Sequence, residues 1–199
     1  MSIFKDEGVI TETFKNKPAI LSTMAKLRKA VAYRALERPY TRYSKYKKQR
    51  FVRARPVCRV VRFDMGNAKR EFDTSLHLLS QADLQIRDNA IESARQTSNR
   101  ALEKVLGKTG YHLKIRLYPH HVLRENPLAA GAGADRMSTG MAHSFGKVIG
   151  IAARVKKGQT LFSLRINKKD LALGRTALTK ASRKMPCKCA ILQGTKVEF

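Results

Sequence analysis

Apolar and polar residues alternate most regularly between Tyr111 and Leu117. Every second residue of this segment is apolar, and the residues between them are His112, Lys114 and Arg116. Successive side chains of a β-strand point to opposite faces of the sheet. The alternation therefore predicts a half-buried strand with one basic, open face.

Five other apolar segments predict further strands. Two of them flank Lys156–Gln159, a tetrapeptide with glycine in its third position, and this arrangement predicts a β-hairpin. Asp64–Asn67 predicts a turn at the end of the first strand. The five predicted strands are Val57–Phe63, Val122–Arg124, Val148–Val155, Thr160–Ile166 and Cys187–Leu192.

Two longer segments carry apolar residues at helical spacing. The first helix is predicted to begin at Ser80, which can cap it, and to end at Gly107. The second is predicted from Lys168 to about Lys184, with Asn167 as its cap. The predicted inward residues are Leu84, Ile91, Ala94, Ser98, Leu102 and Val105 in the first helix and Leu171, Leu178 and Ala181 in the second. These elements predict the α+β class, with an antiparallel sheet and both helices packed on one side of it.

The charge of the chain is far from balanced. It contains 41 lysine and arginine residues against 15 aspartate and glutamate residues, which gives a formal net charge of +26. Such self-repulsion destabilises a compact protein, whereas binding to a nucleic acid neutralises the charge and releases counterions. An anionic membrane could also attract the chain, but the sequence contains no apolar run of about 18 residues that could span a bilayer. We therefore expect a nucleic-acid partner and no membrane association.

The basic residues are concentrated in two parts of the chain. Residues 24–62 contain 14 basic residues and one acidic residue, and residues 104–199 contain 19 basic and four acidic residues. The basic and acidic residues before Met24 are equal in number, and Met24 itself is a plausible alternative start of the chain. We predict an extension or upstream start at 1–23, a basic RNA-binding arm at 24–56, and an α+β domain at 57–199 with a long, functional glycine- and alanine-rich loop at 125–147.

The arm combines cations with aromatic residues, since four of the six tyrosines of the chain lie between Tyr33 and Tyr46. Arginine binds phosphates through its planar fork, and tyrosine stacks on unpaired bases. We therefore expect RNA contact, and a solvated, disordered charge run is the alternative. RNA is favoured over DNA because the sequence shows no helix-turn-helix, zinc-finger or zipper pattern. The predicted RNA-binding residues are Lys26, Arg28, Lys29, Arg34, Arg38, Tyr40, Arg42, Tyr43, Lys45, Lys47, Lys48, Arg50, Arg53 and Arg55 in the arm, with His112, Lys114 and Arg116 on the basic strand.

The residue pattern of the chain does not indicate catalysis. The segment Gly131–Gly133 lacks the third glycine of a dinucleotide-binding fingerprint, and no Gly-Lys-Ser/Thr follows it. No nucleophile with a suitable base is evident either. The neighbours His120 and His121 would point to opposite faces of a strand. Cys187 and Cys189 supply only two of the four ligands that zinc usually takes, so a pair of small buried residues is favoured. We expect no metal, no cofactor and no enzymatic activity.

A family resemblance is carried by Arg116–Arg124, Ala130–Met141, Phe145–Lys147 and Ala153–Val155. These segments are similar to the large-subunit ribosomal protein sixteen family, called L-sixteen in bacteria and L-ten-e in archaea and eukaryotes. The arm resembles the archaeal and eukaryotic branch, and the similarity extends from about Lys26 to the C-terminus. Ala142 and Val148 depart from the residues that are usual in the family.

The resemblance implies an α+β sandwich that binds large-subunit ribosomal RNA (rRNA) and serves translation and subunit assembly in the cytoplasmic ribosome. It also implies that the long loop extends toward the peptidyl transferase centre and the acceptor ends of A-site and P-site tRNA. The expected partners are rRNA, tRNA and neighbouring large-subunit proteins, and no homo-oligomer is expected. The loop residues carried over as lying near tRNA are Arg124, Gly131, Gly133, Asp135, Arg136, Gly140, Met141 and Lys147.

Two other functions are compatible with the charge. An RNA-processing or nucleotide-dependent enzyme would use the glycine-rich loop as a phosphate cradle, and it requires substrate turnover and an acid–base pair. A free protein that compacts nucleic acid would bind DNA as well as RNA, and it would not associate stoichiometrically with large subunits.

Overall fold

The computed structural model describes residues 28–41, 45–49, 52, 55–125 and 146–195. Within these residues the chain forms eight β-strands and two α-helices. The strands are β1 (Asp64–Gly66), β2 (Thr74–Ser80), β3 (Leu84–Arg87), β4 (His112–Ile115), β5 (His121–Glu125), β6 (Lys147–Val155), β7 (Thr160–Ile166) and β8 (Cys189–Thr195). The helices are α1 (Asp88–Leu106) and α2 (Leu171–Ser182), and short 3-10 helices lie at Ala30–Tyr33, Lys47–Gln49 and Lys168–Asp170.

The described strands form two sheets. Sheet A has five strands in the order β1-β4-β7-β2-β8, and sheet B has three strands in the order β3-β6-β5. Every pairing within these described strands is antiparallel. Two helices combined with antiparallel sheets confirm the predicted α+β class.

One hydrophobic core joins both sheets to both helices. On sheet A, Leu113, Leu164 and Leu76 lie side by side on three neighbouring strands and are fully buried. Burial of a leucine side chain contributes about 1.5–3 kcal/mol to stability. Helix α2 approaches this sheet at Gly174, where an added Cβ would lie 2.9 Å from Leu76 Cδ1. A glycine in mid-helix lowers helix propensity, and here it permits close packing of helix on sheet.

Helix α1 begins at Asp88 rather than at Ser80, so the predicted start was wrong. Ser80 ends strand β2, and Leu84 belongs to strand β3; the sequence analysis had missed both strands. Leu84 is nevertheless buried in the core, as expected of an inward residue. Strand β3 leads directly into α1, and this explains why the apolar residues of both elements were interpreted as one helix.

The body of α1 follows the prediction more closely. Ile91, Ala94, Ser98 and Leu102 are all buried on its inner side, while Val105 is 65% exposed and was wrongly assigned to the core. The helix is followed by Gly107, as predicted, and this glycine has a φ of 66°. Glycine reaches this left-handed region without the steric cost that other residues incur.

The segment Val57–Phe63 does not form the predicted strand. The backbone amides of Arg59 and Val61 donate instead to the carboxylates of Asp88 and Glu92 on α1, at 3.2 and 3.3 Å. Side chains of the helix thus accept hydrogen bonds that a neighbouring strand would accept in a sheet. The chain runs along α1 before it enters sheet A.

The two predicted strands beside Lys156–Gln159 are present as β6 and β7, but the predicted hairpin is wrong. Strand β6 pairs with β3 and β5 in sheet B, whereas β7 pairs with β4 and β2 in sheet A. The turn, in which Gly158 has a φ of 81° and the Gln159 amide donates to the Lys156 carbonyl, carries the chain from one sheet to the other. The predicted turn at Asp64–Asn67 is also corrected, because its first three residues form β1 and pair with β4.

The last helix and strand lie near their predicted positions. Helix α2 follows a 3-10 turn and buries Leu178 and Ala181 completely, while Leu171 is half-buried. Strand β8 begins at Cys189 rather than at Cys187 and pairs with β2 along its whole length.

Candidate nucleic-acid interface

The outer face of sheet A, which points away from the core, is polar and basic. The strand register places Lys114, Ser163 and His77 in one row across β4, β7 and β2. His112, Arg165 and Ser75 form the next row on the same face. These residues alternate with the buried leucines of the core, as expected when one face of an antiparallel sheet packs on a core and the other does not.

Hydroxyl groups hold the polar side chains of this face together. Ser163 Oγ lies 3.1 Å from His77 Nδ1 and accepts a hydrogen bond from Arg116 Nε at 3.3 Å. Ser75 Oγ lies 3.1 Å from His77 Nε2 and donates to the Gly194 carbonyl at 3.0 Å. The His77 ring is therefore fixed between two serines, and Arg116 is oriented across the face.

Two arginines set the electrostatics of the same face. Burial lowers the pKa of His77, and the charges of Arg116 and Arg165 lower it further. Arg116 is exposed, but the neighbouring side chains partly desolvate its guanidinium and so lower its pKa, and the charge of Arg165 lowers it further. His77 is therefore neutral at pH 7, whereas arginine and lysine stay protonated. The positive charge of the face resides on Arg116, Arg165 and Lys114, and Lys114 Nζ also lies 3.8 Å from Asp64 Oδ1.

His112 lies on this face but is buried there, which corrects the prediction that its side chain is open. Its side chain is buried, and burial is the main reason why its pKa is lowered. Its Nε2 lies 3.4 Å from Asp64 Oδ1, a separation of ion-pair range rather than a good hydrogen bond. Lys114 is half-exposed and Arg116 is exposed, so the open basic face exists without His112. Arg165 and His77 were not predicted to lie on this face, although each stands between buried residues on its own strand.

Residues 28–41 cross sheet B from one edge to the other. The Gln85 amide on edge strand β3 donates to the Arg34 carbonyl at 2.9 Å, and the Val122 amide on edge strand β5 donates to the Tyr40 carbonyl at 3.1 Å. The Tyr40 amide in turn donates to His121 Nδ1 at 2.9 Å. Exposed strand edges are prone to unwanted pairing, and this segment covers part of both edges. These residues of the predicted arm therefore have folded contacts with sheet B in the structure.

Side chains add to this docking at the end of β5. The Tyr33 hydroxyl donates to Glu125 Oε2 at 2.7 Å, and Arg28 forms an ion pair with the same carboxylate. The Arg124 guanidinium lies 4.0 Å from the centre of the Tyr40 ring, within the range of a cation–π interaction. Tyr40 also packs on a small apolar cluster that includes fully buried Val52.

The other predicted cations of the arm lie at the surface wherever the structure describes them. Arg28, Lys29, Arg34 and Arg38 are exposed on the segment that crosses sheet B. Lys45, Lys47, Lys48 and Arg55 are exposed as well. The docked segment therefore holds its backbone and tyrosines against the body while it presents positive charge to the surroundings.

Aromatic rings form a second surface feature, which the sequence analysis did not assign. The Tyr118 ring stacks on Phe63 with 5.4 Å between centroids and lies 4.4 Å from the His120 ring at a tilt. The Arg55 guanidinium lies 5.8 Å from the Tyr118 centroid and donates to its hydroxyl at 3.1 Å. Tyr118 and His120 are exposed whereas His121 is buried, so the expected pairing of one packed and one outward histidine is found.

The predicted loop joins two neighbouring strands of sheet B. Glu125 pairs with Lys147, and Arg124 pairs with Val148 across a register shift. Both ends of the loop therefore lie side by side, next to the docked residues of the arm. The predicted site residues that fall outside the described part of the chain are Lys26, Arg42, Tyr43, Arg50, Arg53, Gly131, Gly133, Asp135, Arg136, Gly140 and Met141.

The described residues also bear on metal binding and on membrane insertion. No group of three or more histidine, cysteine, aspartate or glutamate side chains in this part of the chain is arranged to hold a metal ion. No helix within the same residues is long and apolar enough to cross a membrane.

The sequence comparisons agree with the resemblance. A profile of the family described as Ribosomal protein L16p/L10e matches residues 39–192. Three archaeal relatives are named large ribosomal subunit protein uL16. The protein of Methanococcus maripaludis (strain C7) is 45% identical over 166 residues, which are 83% of this chain and 93% of the relative. That of Methanococcus aeolicus is 42% identical over 173 residues, covering 87% and 97%, and that of Archaeoglobus fulgidus is 43% identical over 154 residues, covering 77% and 85%. The chain belongs to the ribosomal protein L16p/L10e family.

Proposed function

We propose that this chain binds large-subunit rRNA through the outer face of sheet A and through residues 28–41. We further propose that its 125–147 loop extends toward the peptidyl transferase centre and the acceptor ends of A-site and P-site tRNA. As a member of its family, the chain is a structural and non-enzymatic constituent of the large subunit of the cytoplasmic ribosome. It supports translation by positioning RNA, and the chemistry is left to the RNA.

The observation that carries the proposal is the cationic outer face of sheet A. Arg116 and Arg165 share this face closely enough for the charge of one to lower the pKa of the other. A phosphate placed between two such cations stabilises both and releases counterions from the RNA. Ser163 is buried beneath this face, and its hydroxyl accepts a hydrogen bond from Arg116 that orients the guanidinium for phosphate contact.

We propose two roles for the arm, which are docking on sheet B and binding of rRNA phosphates. Tyr40 and Arg124 attach it to sheet B, since the ring of one lies against the guanidinium of the other. The exposed cations Arg34 and Arg38 then bind rRNA phosphates in a fixed position. Docking before binding lowers the conformational entropy that a disordered tail would lose on the RNA.

The exposed ring of Tyr118 supports recognition of an unpaired base. Phe63 covers one part of this ring, and His120 and Arg55 lie beside it. Stacking of one base on an aromatic side chain contributes about 1–3 kcal/mol and tolerates any base. This group therefore adds affinity on single-stranded rRNA without base-specific hydrogen bonds.

The loop proposal rests on position and composition. Neighbouring strands of one sheet hold its two ends, with Arg124 and Lys147 at the base. Small residues between them let the backbone approach RNA closely, and Arg136 supplies a cation near the middle.

We also propose the domain organisation in finer detail. Residues 57–199 form an α+β sandwich, residues 24–56 form the arm, and residues 1–23 form an extension that lies before the family match.

The proposal is tested by measuring binding of the full chain to large-subunit rRNA over a series of salt concentrations. The double variant R116A/R165A removes two cations from the outer face of sheet A. We expect its affinity to fall by roughly 10- to 100-fold and the slope of log affinity against log salt to become shallower by about two. The matched variant K156A/K157A removes the same charge from the exposed turn between β6 and β7.

Equal losses of rRNA affinity in the two double variants would mean that net charge alone governs binding, and the assigned face would be rejected.

Sedimentation of a native lysate in sucrose gradients separates the ribosomal role from free nucleic-acid compaction. A ribosomal constituent migrates stoichiometrically with large subunits at low and at moderate salt. A free compacting protein remains near the top or spreads through the gradient.

A further inference from the structure

Two cysteines lie together beside a cleft that is lined by Cys187 and that shares Arg34 with the proposed RNA-binding segment. Cys187 Sγ and Cys189 Sγ are 3.7 Å apart, and both residues are half-buried. Cys189 begins β8 opposite Ser80, the last residue of β2. The open cleft beside them has a volume of about 660 Å³ and is lined by Arg34, Asp83 and Lys188 among others.

We propose that Cys187 and Cys189 form a thiol redox site, in which Cys187 attacks a small-molecule disulfide and Cys189 resolves the product to an intramolecular disulfide. In the first step Cys187 Sγ bonds to one sulfur of the oxidant, whose S–S bond breaks and releases one thiolate. In the second step Cys189 loses its proton to solvent and attacks Cys187 Sγ, which releases the second thiol. The two cysteine sulfurs are oxidised by two electrons, and the disulfide is reduced to two thiols.

The surroundings select Cys187 as the attacking sulfur. The Cys189 thiol lies 3.7 Å from both Cys187 Sγ and the Cys187 carbonyl oxygen and can donate to either, and the Ser80 hydroxyl, 3.7 Å from Cys187 Sγ, is a second donor to that sulfur. Ser80 has one hydroxyl hydrogen, for which the Ala82 carbonyl at 2.7 Å is the other acceptor. The hydrogen bond from Cys189, together with Ser80 and the positive charge of Arg34, lowers the pKa of Cys187 to about 6 against the opposing effect of burial.

The same proton makes Cys189 the resolving partner. The hydrogen bond to Cys187 and burial raise the pKa of Cys189, so this thiol keeps its proton while Cys187 is a thiolate. Once Cys187 is joined to the oxidant, its negative charge is gone and this reason for retaining the proton disappears. A disulfide requires about 2.05 Å between sulfurs, so the pair has to close by less than about 2 Å.

The backbone around the pair is anchored on one side. The Gln81 amide donates to the carbonyl of Lys188, the residue between the two cysteines, at 3.1 Å. This bond ties the pair to the end of β2. Arg34, whose carbonyl accepts from Gln85 of sheet B, lines the same cleft. Oxidation therefore replaces a thiolate beside Arg34 with a neutral disulfide.

The first test compares two thiols within the unmodified full chain. Cys58 is half-buried between the two apolar clusters and serves as the internal reference. A thiol with a pKa of about 6 is half ionised at pH 6, against about 0.3% for an ordinary thiol with a pKa of about 8.5. The less basic thiolate is intrinsically slower by roughly tenfold. We expect iodoacetamide to alkylate Cys187 about ten times faster than Cys58 at that pH, as measured by peptide mass spectrometry.

The second test uses glutathione disulfide on the wild type and on two variants. The wild type is expected to end with a Cys187–Cys189 disulfide and no bound glutathione. C189S is expected to accumulate a stable mixed disulfide at Cys187, and C187S to react at the slow rate of Cys58. Alkylation of Cys187 in the S80A variant checks the role of that hydroxyl, and its pH midpoint is expected to rise.

Two results would overturn the proposal. Alkylation of Cys187 no faster than that of Cys58 at about pH 6 in the wild type would remove the attacking thiolate, and this measurement needs no variant that must refold. A lasting mixed disulfide in the wild type, equal to that of C189S, would remove the resolving step. Neither result bears on rRNA binding, so the proposed function stands or falls separately.

Discussion

Glu92 shows how a single carboxylate organises part of this very basic chain. Its oxygens accept hydrogen bonds from Arg95 Nε at 2.8 Å, from Gln96 at 3.0 Å and from the backbone amide of Val61 at 3.3 Å. It is almost fully buried on α1. One side chain therefore connects the helix to the extended segment that precedes sheet A, and the Arg95 hydrogen bond is the main reason why its pKa lies below the ordinary value.

Replacing Glu92 with glutamine is expected to destabilise the protein at pH 7 by about 1.5–3 kcal/mol, because charge-assisted hydrogen bonds are lost. A carboxyl whose pKa is lower in the folded than in the unfolded state stabilises above its unfolded pKa, and this contribution is lost as the pH falls through the folded pKa. The difference between E92Q and the wild type should therefore shrink below about pH 4. Urea unfolding at about pH 7 and about pH 3 measures both values.

The exposed Glu71 provides the matched control. E71Q makes the same chemical change at the surface, where substitutions usually alter stability by less than about 0.5 kcal/mol. If E92Q and E71Q had equal unfolding free energies at neutral pH, the carboxylate of Glu92 would be replaceable by an amide and its assigned role would be wrong.

At the scale of single residues, the sequence predicted which basic side chains lie on an open face more successfully than it predicted which residues they contact. Lys114 and Arg116 were found because they alternate with buried residues along one strand. Arg165 and His77 share the same face only because β7 and β2 lie next to β4, and no local pattern contains that adjacency. The exposed ring of Tyr118 was missed for a similar reason, since its neighbour Phe63 comes from a distant part of the chain.

At the scale of elements, the docking of residues 28–41 on sheet B yields a direct test. Tyr40 supplies a backbone carbonyl, a backbone amide and an aromatic ring to this contact. Truncating it to alanine removes the ring contacts with Arg124 and the apolar cluster. We expect the backbone amides of Gln85 and Val122, which donate to this segment, to exchange hydrogen roughly tenfold faster in Y40A, because local opening becomes easier by about 1.4 kcal/mol.

Tyr46, which is 61% exposed, is the matched position for that experiment. Y46A removes the same ring from a surface site and is expected to leave exchange in sheet B unchanged. Identical exchange profiles for the two variants would show that the ring of Tyr40 contributes nothing to docking and that the backbone hydrogen bonds suffice.

Elements whose residue pattern is local were predicted correctly, whereas features that depend on pairing with distant strands were not. The alternation in β4, the turn at Gly158 and the glycine after α1 are local signals, and all three were identified. The partners of β6 and β7 were not, because a tight turn usually joins paired strands and here it joins two sheets. The strands β2 and β3 escaped notice because residues such as His77 and Gln85 interrupt their apolar pattern, even though Gln85 is buried.

At the scale of the whole molecule, we propose that the body anchors the chain on rRNA and that the 125–147 loop extends from it toward tRNA. Replacing Arg136 with alanine is expected to leave rRNA affinity within about twofold of the wild type, because the cations of the anchor are retained. Subunits that carry R136A should instead show slower tRNA accommodation or delayed late maturation. Translation assays on assembled large subunits, beside filter binding of the free chain to rRNA, measure the two effects.

Arg100, exposed on α1, is the control for this change. R100A removes one arginine from the body and should leave tRNA accommodation and maturation unchanged. The opposite pattern for R136A, with rRNA binding lost and elongation normal on assembled subunits, would place Arg136 in the anchor instead of the loop.

The docking of residues 28–41 also determines the order in which a newly made chain can fold. The contact between Tyr40 and His121 joins residues 81 positions apart, and that between Tyr33 and Glu125 spans 92 positions. Strand β6, which holds both edge strands of sheet B, ends only at Val155. During synthesis from the N-terminus, residues 28–41 must therefore wait for residues near the middle of the chain and beyond before they acquire their support. Such long-range closure is slow, so Arg28, Arg34 and Arg38 reach their docked positions only after the strands of sheet B have been synthesised.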